Sequence, residues 1–167
     1  ASDVYKRQSR DLLERLVDEA LEQLKDRLAA EGYFSPVIVH SIDGEAAPWM
    51  VRFEIDPGAA ALVSEVRITL VGTLANDPAR AERGRALILE RWPLPEGARF
   101  RQQDWDLAKR RAVAVVAGDR FASASLVSSR ATIDPVTRTA QLEVEIDSGP
   151  GFRFGEIEVS GLVRYPP

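Results

Sequence analysis

The stretch Glu145-Ile146-Asp147-Ser148-Gly149 closely matches Glu54-Ile55-Asp56-Pro57-Gly58, which lies 91 residues earlier in the chain. In both stretches, alternating apolar and charged residues run into a turn rich in Gly or Pro, a pattern typical of a half-buried strand and its end. Phe34 and Phe121, each just after a predicted helix, are 87 residues apart. This nearly constant spacing predicts a structural repeat.

One period of the repeat contains a strand, two helices and two further strands. The first strand alternates apolar Val66, Ile68 and Leu70 with polar residues and stops at Gly72. The later elements are predicted as helices over about 78–91 and 102–117, a weak strand over about 121–132, and a strand around 142–146. Two helices would then cover one face of a three-stranded mixed sheet, which is an α+β fold.

The repeat divides the chain into one complete unit and parts of two others. In chain order these are the C-terminal part of a first unit (9–58), a complete second unit (62–147), and the first strand of a third (152–167). The first part begins with an amphipathic helix from Ser9 to a stop at Gly32. Residues 1–8 carry no pattern, and we expect the chain to be a piece of a longer protein.

Composition excludes several kinds of active site. The 167 residues include no Cys and a single His, and their formal net charge is −4. The sequence therefore excludes disulfides, Cys-type zinc sites, iron–sulfur clusters and paired His ligands. His40 is interpreted as an ordinary strand residue, and Asp104 and Asp106 as carboxylates that favour the dipole at a helix start. We predict no catalytic residue, no metal site and no cofactor.

Three stretches resemble the polypeptide-transport-associated (POTRA) domains of TamA-type outer-membrane assembly factors. Ala29-Ala30-Glu31-Gly32-Tyr33-Phe34-Ser35-Pro36 is similar to the end of a second helix in that family. The stretch from Gly97 to Lys109 resembles the loop into a second helix, and Ile146 to Gly155 resembles the family's joint between domains. The resemblance covers about residues 9–161 and implies tandem POTRA units.

The resemblance also implies a function and a location. POTRA domains of this kind are non-enzymatic, lie in the periplasm before a C-terminal outer-membrane β-barrel, and aid the insertion of outer-membrane proteins and autotransporters. In TamA-type factors they connect to the inner-membrane partner TamB. Open alternatives are a BamA-type factor, a two-partner secretion transporter and a cell-division protein. A small α+β enzyme or RNA-binding module is a further alternative, although the Gly-x-x-Gly clamp of an RNA-binding domain is missing.

Two kinds of functional residue are predicted. The first is a protein-binding edge strand of small and polar residues, since an edge exposes unpaired N–H and C=O groups to which another chain can add. Its residues are Ala122, Ser123, Ala124, Ser125, Leu126, Val127 and Ser128. The second kind forms short joints between units, which we expect to restrict hinge motion. The joint residues are Pro57, Gly58, Gly149, Pro150, Phe152, Phe154 and Gly155.

Charge is distributed unevenly along the chain. Residues 1–60 contain 7 basic and 12 acidic residues, whereas residues 78–120 contain 10 basic and 6 acidic ones. The helices of the complete unit are therefore basic. Such a surface is interpreted as a solvated helix face, with a docking surface for an acidic partner or anionic lipid headgroups as the alternative. We expect no nucleic acid as a partner, because the basic residues are not interleaved with aromatic ones.

Overall fold

The structure, a computed structural model, describes residues 2–44, 48–153 and 155. The elements, in chain order, are α1 (Ser2–Ala30), β1 (Val37–Asp43), β2 (Met50–Asp56), β3 (Leu62–Val71), α2 (Pro78–Glu90), α3 (Gln102–Ala117), β4 (Ser125–Asp134) and β5 (Thr139–Asp147). A short 3-10 turn over Thr73–Asn76 links β3 to α2. Of the segment predicted as the first strand of a third unit, 152–167, only residues 152, 153 and 155 are among those described.

The complete unit contains a mixed three-stranded sheet in the order β3-β5-β4. Strand β3 runs parallel to β5, and β4 runs antiparallel to it. A parallel pair requires a long crossover connection, which here carries α2 and α3. The α+β fold expected from the repeat is confirmed.

The core of this unit lies between the sheet and the two helices. Alternate residues of β5 are buried, among them Leu142 and Ile146, at 1% and 0% exposure. The residues of α3 that meet them recur at three- and four-residue steps: Trp105, Ala108, Ala112 and Val116. These four residues share one face of the helix. Since full burial of a large apolar side chain contributes about 1.5–3 kcal/mol, this layer stabilises the unit.

The start of α2 follows the signals in its sequence. The carboxylate of Asp77 accepts a hydrogen bond from the backbone N–H of Arg80 at 3.0 Å. Pro78 occupies the first helical position, where no N–H is required. Replacing such a cap typically costs about 1 kcal/mol.

The first part-unit consists of α1 and a hairpin of β1 and β2. Its register pairs Ile38 with Ile55 and His40 with Phe53, which places their side chains on one face. Among residues 9–30 of α1, Val17 is the one buried side chain, whereas Leu12 and Leu16 are 50% and 53% exposed. Leu16 is therefore largely exposed, although it belongs to the apolar stripe of the amphipathic segment.

The start of α1 also differs from the prediction. The helix begins at Ser2 rather than at Ser9. Residues 2–8 contain neither Pro nor Gly, so nothing in them breaks a helix that propagates backward from the amphipathic segment. Among the described residues, no helix is both long enough and apolar enough to cross a membrane.

Candidate protein-binding edge and inter-unit joints

Strand β4 lies at the edge of the mixed sheet and pairs only with β5 in the described part of the chain. Its pairing is regular from Ser128 opposite Glu145 to Asp134 opposite Thr139. The register shifts between Leu126 and Ser128, so Val127 is an extra, bulged residue. The uninterrupted edge is therefore the seven-residue stretch Ser128–Asp134.

The predicted edge segment, residues 122–128, only partly coincides with this strand. Ala122, Ser123 and Ala124 precede it, in a turn closed by the Ala124 N–H donating to the Phe121 carbonyl at 2.8 Å. Ser125 and Leu126 begin the strand, and Ser128 starts its regular part. The strand prediction was wrong at its start, because these small residues contain no Gly or Pro to mark the turn.

A hollow runs between β4 and α3. It has a volume of about 440 Å³ and is lined by Asp106, Lys109, Arg110, Val113 and Leu126. The apolar part comes from Val113, which packs against the core, and from Leu126, which is 39% exposed. A side chain beside the β4 edge would meet this apolar patch and the basic residues along its rim.

The charged rim of this hollow is ordered by one ion pair. Lys109 Nζ lies 2.8 Å from Asp106 Oδ1 and 5.3 Å from the ring centre of Trp105. The hydrogen bond from Lys109, together with its positive charge, lowers the pKa of Asp106. Asp106 therefore stays ionised to lower pH than a free carboxyl group and fixes the Lys109 ammonium in place.

The opposite edge of the sheet, along β3, is partly occupied. Val63 exchanges hydrogen bonds with the loop before α3, donating to Ala98 and accepting from Gly97, both at 2.8 Å. The Phe100 N–H donates to the Ala61 carbonyl at 2.9 Å. No described strand or loop pairs in this way with the outer side of β4. Of the two edges, β4 is thus the more accessible to an added strand.

The first joint contains the predicted Pro57 and Gly58, in a turn where the Gly58 N–H donates to the Asp56 carboxylate at 2.9 Å. The chain then enters the next unit, and the buried Ala61 donates its N–H to the Gly32 carbonyl at 2.8 Å. This bond ties the end of α1 directly to the start of β3.

Side chains outside the predicted set also hold this joint. Arg99 donates to the Tyr33 hydroxyl at 3.0 Å, and its guanidinium lies 5.6 Å from the centre of that ring. Glu31 pairs with Arg101 at 3.3 Å and with Arg99 at 3.5 Å. The rings of Phe34 and Phe100 are 5.9 Å apart.

Sequence reasoning missed these contacts, although both partners were visible in the sequence. One of the segments that define the repeat is Glu31-Gly32-Tyr33-Phe34. The segment Arg99-Phe100-Arg101 has the opposite charge and a matching aromatic ring. The two segments are almost 70 residues apart, so their pairing cannot be derived from local patterns.

The second joint begins at the end of β5. Ser148 is 1% exposed, and its hydroxyl accepts from the Leu74 N–H at 3.0 Å. The Gly149 N–H donates to the Asp147 carboxylate at 2.7 Å, and the exposed Pro150 follows. The Phe152 N–H donates to the Arg120 carbonyl at 2.7 Å, at a place in the unit similar to that of the Ala61–Gly32 bond in the first joint.

The remaining predicted residues of the second joint are more exposed or lie outside the described residues. The Phe152 side chain is 52% exposed, and Gly155 is exposed as well. Phe154, predicted to seal this joint with Phe152, lies outside the described residues.

Across the described ranges, no group of three or more His, Cys, Asp or Glu side chains is placed to hold a metal ion. His40 contacts Phe53, with ring centres 6.3 Å apart.

Comparison with known proteins gives similarity to solved structures only. No family model matches the sequence, and no curated protein matches it. The chain is similar to POTRA domains 3–5 of BamA from Haemophilus influenzae, at 19% identity and a TM-score of 0.43, covering 87% of this chain and 57% of that one. It is also similar to POTRA domains 1–3 of Omp85 from Anabaena, at 18% identity and a TM-score of 0.39, covering 80% and 50%. BamA from Haemophilus ducreyi lacking POTRA domains 1–3 is 16% identical, with a TM-score of 0.42 and coverage of 75% and 21%. The chain thus spans less than two thirds of each of these three solved chains.

Proposed function

We propose that this chain is the tandem POTRA region of an outer-membrane protein assembly factor and works in the periplasm as a non-enzymatic scaffold. Three observations support the proposal. The complete unit has the strand–helix–helix–strand–strand order with the sheet order β3-β5-β4. The sequence repeat indicates the end of a similar unit before it. Three stretches of sequence resemble POTRA motifs.

Within this class, the three motif-like stretches favour a TamA-type factor. Its clients would be outer-membrane proteins, including autotransporters, and its partners its own C-terminal β-barrel and the inner-membrane protein TamB. The runner-up is a BamA-type factor or a two-partner secretion transporter. The parent reading frame tests whether a barrel is attached, since about 16 amphipathic strands of about ten residues would then follow.

The observation that carries the mechanism is the open edge of β4 beside the hollow along α3. An extended client segment would pair its backbone with Ser128–Asp134, and this pairing demands little of the client's side chains. Alternate client side chains would point toward α3, where Val113 and Leu126 offer apolar contact. An outer-membrane strand alternates apolar and polar residues, so it matches an edge with one apolar side.

The bulge at Val127 defines where pairing begins. A bulge interrupts the row of backbone groups and twists the edge, which protects a strand against pairing. We therefore place client pairing on the C-terminal side of the bulge. The predicted residues Ala122–Val127 would then border the site, with Ser128 as its first member.

The test is a proline scan of the regular edge. Successive residues of an edge strand point their N–H groups alternately toward the neighbouring strand and outward. Of Ser129→Pro and Arg130→Pro, one variant therefore removes a bond to β5 and destabilises the unit, and the other removes only an outward N–H. The probe is a photo-crosslinkable peptide of about ten residues that alternates apolar and polar side chains, as in a membrane β-strand.

We expect the variant that keeps the wild-type circular dichroism and melting temperature to lose most of the crosslinking. Val136→Ala, in the exposed turn after β4, keeps the Val136 N–H and its bond to Asp134, so it is the control and should crosslink like wild type. Unchanged crosslinking in the edge variant that keeps the wild-type fold would refute strand addition at β4.

A further inference from the structure

A second concave surface lies on the helical layer of the complete unit, between α2 and α3. It is a groove of about 420 Å³, and the residues that decide its character are Arg80, Arg83, Leu87, Arg91, Val115 and Phe121. Strand β4 does not line it. Whatever binds in this groove therefore binds independently of strand addition at the sheet edge.

One face of α2 forms a wall of the groove. Arg80, Arg83, Leu87 and Arg91 follow one another at steps of three and four residues, so their side chains share one face of the helix. The 13 residues of α2 span about 20 Å. Leu87, which is 36% exposed, lies between Arg83 and Arg91 along this face. The wall therefore presents an apolar centre with a positive charge on each side.

These charges are poorly neutralised within the described part of the chain. Arg80 lies 3.7 Å from Asp77 and 3.6 Å from Asp119, which is the groove's one acidic lining residue. Arg83 and Arg91 make no ion pair with any described residue. By contrast Arg85, two positions from Arg83 and outside the groove, pairs with Glu82 at 2.7 Å.

A further guanidinium lies near the C-terminal end of α2. Arg111 of α3 donates to the backbone carbonyl of Arg91 at 3.5 Å. Arg111 thus places one more positive group beside the backbone where α2 ends.

We propose that this groove binds an amphipathic helix of a partner protein that carries acidic side chains beside its apolar stripe. Charge complementarity supports the acidic character, and Leu87 with Val115 supports the apolar stripe. Both walls are helices whose backbone groups are bonded internally, so the groove offers an extended strand no backbone pairing. A helix brings its own backbone bonds and needs only side-chain contacts, as in other helix-in-groove complexes.

The test uses a defined probe, because the natural partner is unidentified. The probe is a fluorescent helical peptide of about 15 residues, with Leu at every third or fourth position flanked by Glu. A comparison peptide carries Gln in place of every Glu. Binding to the whole 167-residue chain is measured by fluorescence anisotropy at low and high salt. Arg83→Glu and Arg85→Glu form a matched pair, as they reverse neighbouring charges on the same helix.

We expect the Glu peptide to bind, with its affinity reduced about tenfold or more by Arg83→Glu and by less than about twofold by Arg85→Glu. Its affinity should also fall with salt, and the Gln peptide should bind clearly more weakly. If Arg83→Glu does not fold, Arg83→Gln replaces it and should show a smaller loss in the same direction.

Three outcomes overturn the proposal. Equal losses from Arg83→Glu and Arg85→Glu would indicate attraction to overall charge rather than a site. Equal binding of the Glu and Gln peptides would remove the acidic requirement. Co-sedimentation with phosphatidylglycerol vesicles that depends on Arg83, without peptide binding, would assign the groove to lipid headgroups. None of these results bears on β4, which is tested by its own proline variants.

Discussion

The backbone carbonyl of Phe100 lies against Gly32, in the position that a Cβ atom on residue 32 would occupy. Gly32 also has a φ of +93°, a conformation that side-chain-bearing residues rarely adopt. The end of α1 thus meets the loop before α3 backbone to backbone. This contact explains why Gly stands at the end of α1, beyond its role as a helix stop.

The first prediction follows from that contact. Gly32→Ala should destabilise the chain more than Gly97→Ala, although both positions have a positive φ. At Gly97 an added Cβ meets no atom within 4 Å, so the expected cost is the conformational one alone, about 1–2 kcal/mol. At Gly32 the Phe100 carbonyl must also move. Chemical denaturation gives the free energy of unfolding, and amide exchange at Ala61 reports the joint.

Gly32→Ala should accelerate exchange of the Ala61 amide, which donates to the Gly32 carbonyl, and Gly97→Ala should leave it slow. Equal destabilisation by the two substitutions would show that the close approach of Phe100 has no energetic weight.

The helices of the complete unit could be predicted from the sequence because their boundaries are marked locally. Asp77-Pro78 starts α2, and Gly118 follows the last residue of α3. The start of β4 could not be predicted from the sequence, since the small residues before Ser125 suit a strand and a turn equally. The bulge at Val127 depends on pairing with β5, which no local pattern specifies.

The joints show the same limit at longer range. The turn at Pro57-Gly58 was predictable from its residue types. The contact of Arg99 with Tyr33 joins residues 66 positions apart, and it exists only because the start of β3 pairs with the loop at 97–100. Sequence reasoning located the covalent link between the units but missed the surface that orients them.

The second prediction concerns Ser148. Its hydroxyl accepts from the Leu74 N–H and donates to the Gly149 carbonyl, both at 3.0 Å, in a site that is 1% exposed. Ser148→Ala leaves the Leu74 N–H without that acceptor and should lower the free energy of unfolding by about 1–3 kcal/mol. Ser125→Ala, on the exposed edge, should change it by less than about 0.5 kcal/mol. Urea denaturation measures both, and a neutral Ser148→Ala would disprove a structural role for this hydroxyl.

The third prediction is a loss of stability in acid. The Asp134 carboxylate accepts from the amides of Thr137 at 3.1 Å and Val136 at 2.8 Å in the turn between β4 and β5, and these bonds lower its pKa. The hydrogen bond from Lys109 lowers the pKa of Asp106. A lowered pKa in the folded state means stability that is present above about pH 4 and is lost as the pH falls through the folded value.

The urea concentration at the midpoint of unfolding should therefore decrease as the pH is lowered from 6 to 2.5. Asp134→Asn and Asp106→Asn should each make that fall smaller, while Ser125→Ala should leave it as in wild type. If the urea midpoint of both Asn variants changes with pH as in wild type, these carboxylates are not linked to folding.

The fourth prediction concerns motion between the units. The linker after β2 is short, and the contacts of Arg99 with Tyr33 and Glu31 hold the neighbouring surfaces together. A surface ion pair contributes only about 0–1 kcal/mol, and a cation–π contact about 0.5–1 kcal/mol at an exposed site. Arg99→Ala removes both together with the bond to the Tyr33 hydroxyl, so it should loosen the joint without unfolding either side.

The chain has no Cys, so two introduced thiols can carry spin labels without background. Ser41→Cys and Gln141→Cys place exposed labels on β1 and β5, one on each side of the joint. Double electron–electron resonance should give one narrow distance distribution in this parent and a broader one after Arg99→Ala. Arg130→Ala, an exposed Arg on β4 away from the joint, should leave the distribution narrow. A parent distribution as broad as that of Arg99→Ala would mean that the short linker alone, and not the contact of Arg99 with Tyr33, sets the range of motion.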